Sequence, residues 1–279
     1  MANALPRSQQ VAVLTALVEG SSVRSTERMT GVHRDTILRL MVRVGNGCSA
    51  LLDEKMRDLS CTRLELDELW AFVGKKQRQV SAWDDPSLGD TWTYVAIDAD
   101  TKLVPTFMTG KRDETTTRAF IDDLAARLAN RVQITTDGLR LYVRPIMTAF
   151  GGEVDYGMLV KEYEAEAAGP GRYSPPRVVA TAKTPILGEP VAELVSTSYV
   201  ECHNRTIRMS NRRFTRLTNA HSKKIENHAA SIALYFAHYN LVRRHSSLRC
   251  TPAMASGVTS TMWSMGELLD AALAHEAAS

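Results

Sequence analysis

Three carboxylates have the residue types and settings to do chemistry together. Asp67 lies in Glu65-Leu66-Asp67-Glu68-Leu69-Trp70, Asp137 in Ile134-Thr135-Thr136-Asp137-Gly138, and Glu201 in Tyr199-Val200-Glu201-Cys202-His203-Asn204. The first two sit in or just after apolar runs that read as buried strands, where an unpaired charge is costly. Basic side chains or metal ions are the partners that offset such a charge. Hard oxygen ligands without a Cys/His cluster select Mg2+ or Mn2+ over zinc. Two such ions, ~3.5–4 Å apart, activate an attacking oxygen and stabilise the leaving one in an in-line displacement. Asp67, Asp137 and Glu201 holding two ions against a phosphodiester is the chemistry to test.

Other acids compete for the role. Alternation along a strand points Glu68 to the face opposite Asp67, whereas Glu65 shares the face of Asp67 and stands as second choice. Asp98 closes a strand and reads as the holder of the following turn. Glu189 and Glu193 fall outside any helical pattern. His203 and His245 suit substrate positioning, but a lone histidine is more often structural. A helix from Tyr199 places Glu201, Asn204, Arg205, Arg208 and Arg212 on one face, so one end can bind metal and the rest DNA phosphates. The competing reading is an exposed Glu201–Arg205 ion pair, which contributes little.

The formal net charge of +3 over 279 residues does not announce a polyanionic partner, but its distribution does. From Glu201 to Cys250 there are ten Lys/Arg, Arg213 and Arg216 among them, against the two acids Glu201 and Glu226, a local excess of +8. Such a block is an electrostatic footprint for phosphates. The four cysteines are scattered without a Cys-x-x-Cys pair, which argues against a zinc knuckle or a disulfide framework. No apolar run is long enough to span a bilayer and no signal-peptide pattern opens the chain, so the expectation is a cytoplasmic protein with no membrane partner.

The elements that must position these groups follow from periodicity. Residues 1–47 read as a helical unit: an amphipathic helix ending at Glu19-Gly20, a short helix over Val23–Met29, a turn at Thr30-Gly31, and a helix over Arg34–Val44. That layout is a helix-turn-helix, in which Arg34, Thr36 and Arg39 face DNA; the alternative is a three-helix cap. Gly45-Asn46-Gly47 is expected to end the unit, and 48–62 to form a helical linker. Strands are expected over Arg63–Val73, Trp92–Ile97, Leu103–Thr109, Val132–Thr136 and Val154–Val160, with helices from Thr115 to Leu128 and from Asp137 to about Phe150. Three antiparallel strands, a helix, a parallel strand, a helix and another strand is the α/β order of a ribonuclease H-like mixed sheet, spanning 63–258. In it Asp67 and Asp137, 70 positions apart in sequence, become neighbours. Five of the ten prolines fall in a loop-rich insertion at 161–197. Long helices over Val200–Arg213 and Ser222–His238 and a tail helix over Ser264–Leu273 complete the chain, the tail being 259–279.

From Leu64 to Val258 the sequence resembles bacterial insertion-sequence transposases of the DDE class, with closest likeness to the first insertion-sequence family. The resemblance rests on Asp67-Glu68-Leu69-Trp70, Val95-Ala96-Ile97-Asp98, Gly110-Lys111-Arg112-Asp113, Thr136-Asp137-Gly138, Val200-Glu201-Cys202-His203-Asn204, Tyr239-Asn240-Leu241-Val242-Arg243-Arg244-His245-Ser246-Ser247-Leu248 and Thr251-Pro252-Ala253. It implies a ribonuclease H-like core with Asp67, Asp137 and Glu201 as metal ligands, and Arg208 in contact with DNA. It implies cleavage at an element's ends, at terminal inverted repeats, and attack of the freed 3′-hydroxyl on target DNA. A dimer or larger assembly on double-stranded DNA, in a nucleoid-associated setting, is implied too. Two departures stand out: 64 positions separate Asp137 from Glu201, more than many members have, and the N-terminal zinc cysteine pair is missing. Three readings remain open: an active transposase, a catalytically silent DNA-binding derivative, and a ribonuclease H-fold nuclease that does not transpose.

Overall fold

The computed structural model describes residues 5–164, 178–215 and 218–278. Pro170, Pro175 and Pro176 of the expected insertion, and Arg216, lie outside the described residues. Six strands form one mixed sheet: β1 (Arg63–Val73), β2 (Gly89–Asp98), β3 (Phe107–Gly110), β4 (Val132–Asp137), β5 (Val154–Tyr163) and β6 (Val178–Leu187), in the order β3-β2-β1-β4-β5-β6. β1, β2 and β3 are antiparallel neighbours, β4 and β5 run parallel to β1, and β6 returns antiparallel to β5. With its helices this is the ribonuclease H-like α/β arrangement that the element order predicts.

Helices cover both faces. Tyr94 of β2 meets Phe120 of α4 (Glu114–Ala125) and Tyr142, which precedes α5 (Val143–Phe150). Across the sheet, Phe107 of β3 stacks on Phe236 of α7 (Ile225–Leu241) at 4.4 Å. α7 is buried nearly all round from Ile232 to Leu241, as befits a central helix. The face carrying α7 also carries α6 (Ser198–Ser210), whose His203 packs against Tyr235, Phe236 and Tyr239.

α1 (Arg7–Val18) and α2 (Val23–Thr30) precede a turn in which Gly31 adopts φ 70°, and α3 follows as Arg34–Lys55. The helix end expected at Gly45-Asn46-Gly47 is absent. α3 runs through it because the glycines serve close helix crossings rather than termination. A Cβ on Gly45 would lie 2.3 Å from the Ala230 carbonyl oxygen of α7, and one on Gly47 1.9 Å from that of Ala272 in α9 (Met265–Ala278), which follows the one-turn α8 (Pro252–Ala255). α9 reaches past the expected Leu273 and is tied to α3 by Arg43–Glu276 at 3.1 Å. A single apolar core thus joins Leu14 and Ile37 to Leu66, Ile134, Phe236 and Leu268.

Two further expectations need correction. β3 starts at Phe107, not Leu103, because Asn240 of α7 satisfies Val104 in place of a strand partner: its Oδ1 accepts from Val104 N at 3.0 Å and its Nδ2 donates to Val104 O at 2.9 Å. The expected insertion is not all loop. β5 continues to Tyr163 and 178–187 pairs with it as β6, where Pro185 is tolerated because an edge strand leaves one side of its backbone unpaired. Among the described residues no helix is long and apolar enough to cross a membrane.

Candidate active site

The parallel register of β1 with β4, Glu65 opposite Thr135 and Leu66 opposite Thr136, brings Asp67 abreast of Asp137 at the ends of the paired segment. Residues in register on parallel neighbours share a face. Asp137 in turn pairs with Leu159 of β5, so Lys161, two residues on, lies on that face as well. Helix α6 is docked here by Glu65, whose Oε2 accepts from Tyr199 N at 2.7 Å and Val200 N at 2.9 Å. A carboxylate on the first free N–H groups also complements the positive end of the helix dipole. Glu65 therefore sets the position of Glu201, one residue further along.

Each carboxylate has a defined setting. Asp67 Oδ1 accepts from Glu68 N at 2.8 Å and its Oδ2 from Asn204 Nδ2 at 2.8 Å. Burial first, then the charges of Asp137 and Glu201, push its pKa up to about 6 despite those two bonds. Asp137 Oδ1 accepts from Leu139 N at 2.9 Å, which starts the turn after β4. The exposed Glu201 accepts from Thr197 Oγ1 at 2.6 Å and pairs with the Lys161 ammonium.

The donor set tests whether a divalent ion suits this place. Among the described residues no three His, Cys, Asp or Glu side chains are gathered as a group that could hold a metal ion. The Lys161 ammonium on Glu201 and the Asn204 amide on Asp67 instead lie where positive charge is needed. Repulsion felt by Asp67 from Asp137 and Glu201 is the charge excess that a cation relieves. In oxygen donors and in charge, the three residues fit Mg2+ or Mn2+.

The competing acids go elsewhere. Glu68 is on the opposite face, 3.0 Å from Arg112, with burial raising its pKa to about 7. Asp98 holds its turn, its Oδ2 accepting from Thr101 N at 3.1 Å and Thr101 Oγ1 at 2.6 Å. His203 is buried among aromatic rings with its pKa lowered to about 3, chiefly by burial, so it stays neutral and structural. His245 bonds Ser247 Oγ at 2.9 Å.

The single basic face expected from Glu201 to Arg212 is broken up. α6 ends at Ser210, and Arg212 belongs to a separate turn, Arg212–Phe214. Asn204 is buried against Asp67, so it positions a carboxylate rather than facing DNA. Arg205 and Arg212 are exposed. Arg208 is half-buried and donates to Phe214 O at 3.2 Å; Arg213 is half-buried and donates to Ser222 Oγ at 2.9 Å. At the other end of the chain, Arg34 and Arg39 are exposed and Thr36 half-buried.

Sequence reasoning missed Lys161 and Thr197, and it ranked Glu65 as a spare ligand rather than as the anchor of α6. The face of Glu65 was readable from alternation; its partner was not. Glu65→Ala would strip the acceptor from two backbone N–H groups and is expected to lower stability by about 2–3 kcal/mol. A urea unfolding midpoint that does not move would mean α6 is held by other contacts.

No family model matches the sequence, and no curated protein matches it. Among solved structures, the chain is similar to the Mos1 strand transfer complex, with 15% identity over 55% of this chain and 59% of that chain and a TM-score of 0.23. It is also similar to the piggyBac transposase synaptic complex with hairpin DNA, with 11% identity over 98% of this chain and 70% of that chain and a TM-score of 0.41. A third is the Mos1 mariner paired end complex with Mn, at 15% identity, 55% and 60% coverage and a TM-score of 0.21. The chain thus spans about three fifths of the Mos1 chains it matches.

Proposed function

We propose that this chain is a DDE-type DNA transposase that cleaves the ends of an insertion sequence and joins the freed 3′-hydroxyl to target DNA. One observation carries the reading: two strand carboxylates stand abreast on one sheet face, and a helix anchored to the same strand holds Glu201 near enough for its charge to act on Asp67. Asp67, Asp137 and Glu201 would hold two Mg2+ or Mn2+ ions, and bound ions supply Lewis-acid stabilisation of charge at the scissile phosphodiester. Asn204 keeps the Asp67 carboxylate oriented, and the Leu139 N–H does the same for Asp137. Glu65 fixes the start of α6 and so the reach of Glu201. Lys161, once released from Glu201, would have its ammonium free for a phosphate of the bound DNA.

The partners in this reading are the terminal inverted repeats and target DNA, held by a dimer or larger assembly. α2 and α3 act as a helix-turn-helix that reads the ends through Arg34, Thr36 and Arg39. Arg34→Ala is expected to reduce preference for end DNA over unrelated duplex by about 1–3 kcal/mol, the value of one base contact. Unchanged preference in competition binding would remove Arg34 from recognition.

A second reading is a catalytically silent DNA-binding derivative, favoured by the Lys161–Glu201 pair, which neutralises one of the three carboxylates. One experiment separates the two: Mg2+- or Mn2+-dependent cleavage of a labelled duplex taken from the DNA flanking the gene. Cutting at one defined phosphodiester supports the transposase. Tight binding without cleavage, with either metal and a range of end lengths, supports the silent derivative.

A further inference from the structure

A cleft of about 690 Å³ opens between the helical start of the chain and the segment that follows α6. Among the described residues, five cationic side chains line it: Arg24 of α2, Arg34 of α3, and Arg212, Arg213 and Lys223. No aspartate or glutamate is among its described lining residues. Within the described residues, ion pairs to carboxylates involve only Arg34, which lies 4.0 Å from Asp35; Arg24, Arg212, Arg213 and Lys223 make none. The basic residues that the sequence keeps nearly 200 positions apart, Arg24 and Lys223 at the extremes, thus meet in one concavity.

We propose that this cleft is a binding site for the phosphate backbone of duplex DNA. The proposal rests on the transposase reading and adds a site that joins the end-reading helix to the catalytic core.

Two features single out a polyanion. Charge is concentrated on a built surface with Arg34–Asp35 as the one ion pair among these five cations: Arg213 is held against Ser222 Oγ at 2.9 Å and Met41 Sδ at 3.3 Å, which positions its guanidinium at the cleft wall. Withdrawing a cation from water without an anionic partner is costly, and an incoming phosphate reverses that cost. Four of the five groups are arginines, whose planar forks suit bidentate phosphate contacts. Their spread across four segments of the chain suits several successive phosphates better than one.

Position gives the site its consequence. Arg212 and Arg213 follow the C-terminal end of α6, while Glu201 sits in its first turn. From Glu201 to Ser210 the helix rises about 14 Å, on the order of four phosphate steps along one strand. α3 cannot pivot away from this frame, because Gly45 and Gly47 seat it directly on the backbones of α7 and α9. DNA lying in the cleft would therefore place the bases read by α3 and the cleaved bond at a fixed spacing.

The test compares the double variant Arg24→Ala/Lys223→Ala with Arg118→Ala/Arg144→Ala, whose side chains are exposed on the far face of the sheet. Arg24 and Lys223 are themselves exposed, so their removal leaves the fold intact. The readout is the salt dependence of binding to a random-sequence 30-base-pair duplex, where each lost phosphate contact lowers the slope by about one. The expected result is a slope lower by about two for the cleft variant, with the control equal to wild type. Equal slopes in wild type and cleft variant, with wild type binding the duplex steeply, would overturn the cleft while leaving the DNA reading in place. Failure of the wild-type protein to bind duplex at all would overturn both.

Discussion

Asp137→Asn is expected to abolish metal-dependent DNA cleavage, by roughly a thousandfold or more, while duplex binding survives. The substitution is isosteric and keeps an oxygen to accept from Leu139 N, so the turn after β4 should persist. What it removes is one negative charge from a cluster whose members already repel one another. Stabilisation of transition-state charge by metal is worth several kcal/mol, and each 1.36 kcal/mol is tenfold in rate, hence about three powers of ten. In the proposed reading binding rests on arginines and lysines elsewhere, so filter binding should change by less than about threefold (under ~0.7 kcal/mol). Cleavage that survives at wild-type rate would take Asp137 out of the mechanism. Loss of binding together with cleavage would mean that Asp137 supports the fold instead.

Gly47→Ala is expected to destabilise the protein by about 3 kcal/mol, opposite in sign to what helix propensity alone demands. In mid-helix, alanine is favoured over glycine by about 1 kcal/mol. Here the added Cβ would sit 1.9 Å from the Ala272 carbonyl oxygen, which is backbone and cannot rotate aside. α9 must then lift from α3, breaking the buried contacts of Leu268, Leu269 and Ala272. Urea unfolding reads the difference directly. A rise in the midpoint would show that α9 is not seated on Gly47 and that the helix crossing is wrong.

How much of this was legible in the sequence depends on the range of the interaction. β1 could be read over its full length because apolar alternation is local, and the same alternation sent Glu68 to the opposite face and left Glu65 beside Asp67. The pairing of Asp67 with Asp137 followed from element order, since a parallel strand reached through a helix lands next to the first strand. Gly45 and Gly47 were misread because a glycine that ends a helix and a glycine that admits a neighbouring helix look alike without the neighbour. Asn240 carries no local sign that it will replace a strand partner for Val104. Lys161 is visible only once the register of β5 is known, and β6 was hidden by Pro185, which argues against a strand unless that strand is known to be an edge. Asn204 was placed on the basic face by helical spacing; the approach of α6 to β1 turned it inward to Asp67.

The claim on which the rest depends is that Asp67, Asp137 and Glu201 hold divalent ions. Titrating the purified protein with Mn2+ and following the electron paramagnetic resonance signal of the free ion tests it without requiring a DNA substrate. The expected result is saturable binding in the wild type, loss of that binding in Asp67→Asn and Asp137→Asn, and tighter binding in Lys161→Ala, where the competing ammonium is gone. No saturable binding, or binding unchanged by Asp67→Asn and Asp137→Asn, would contradict it.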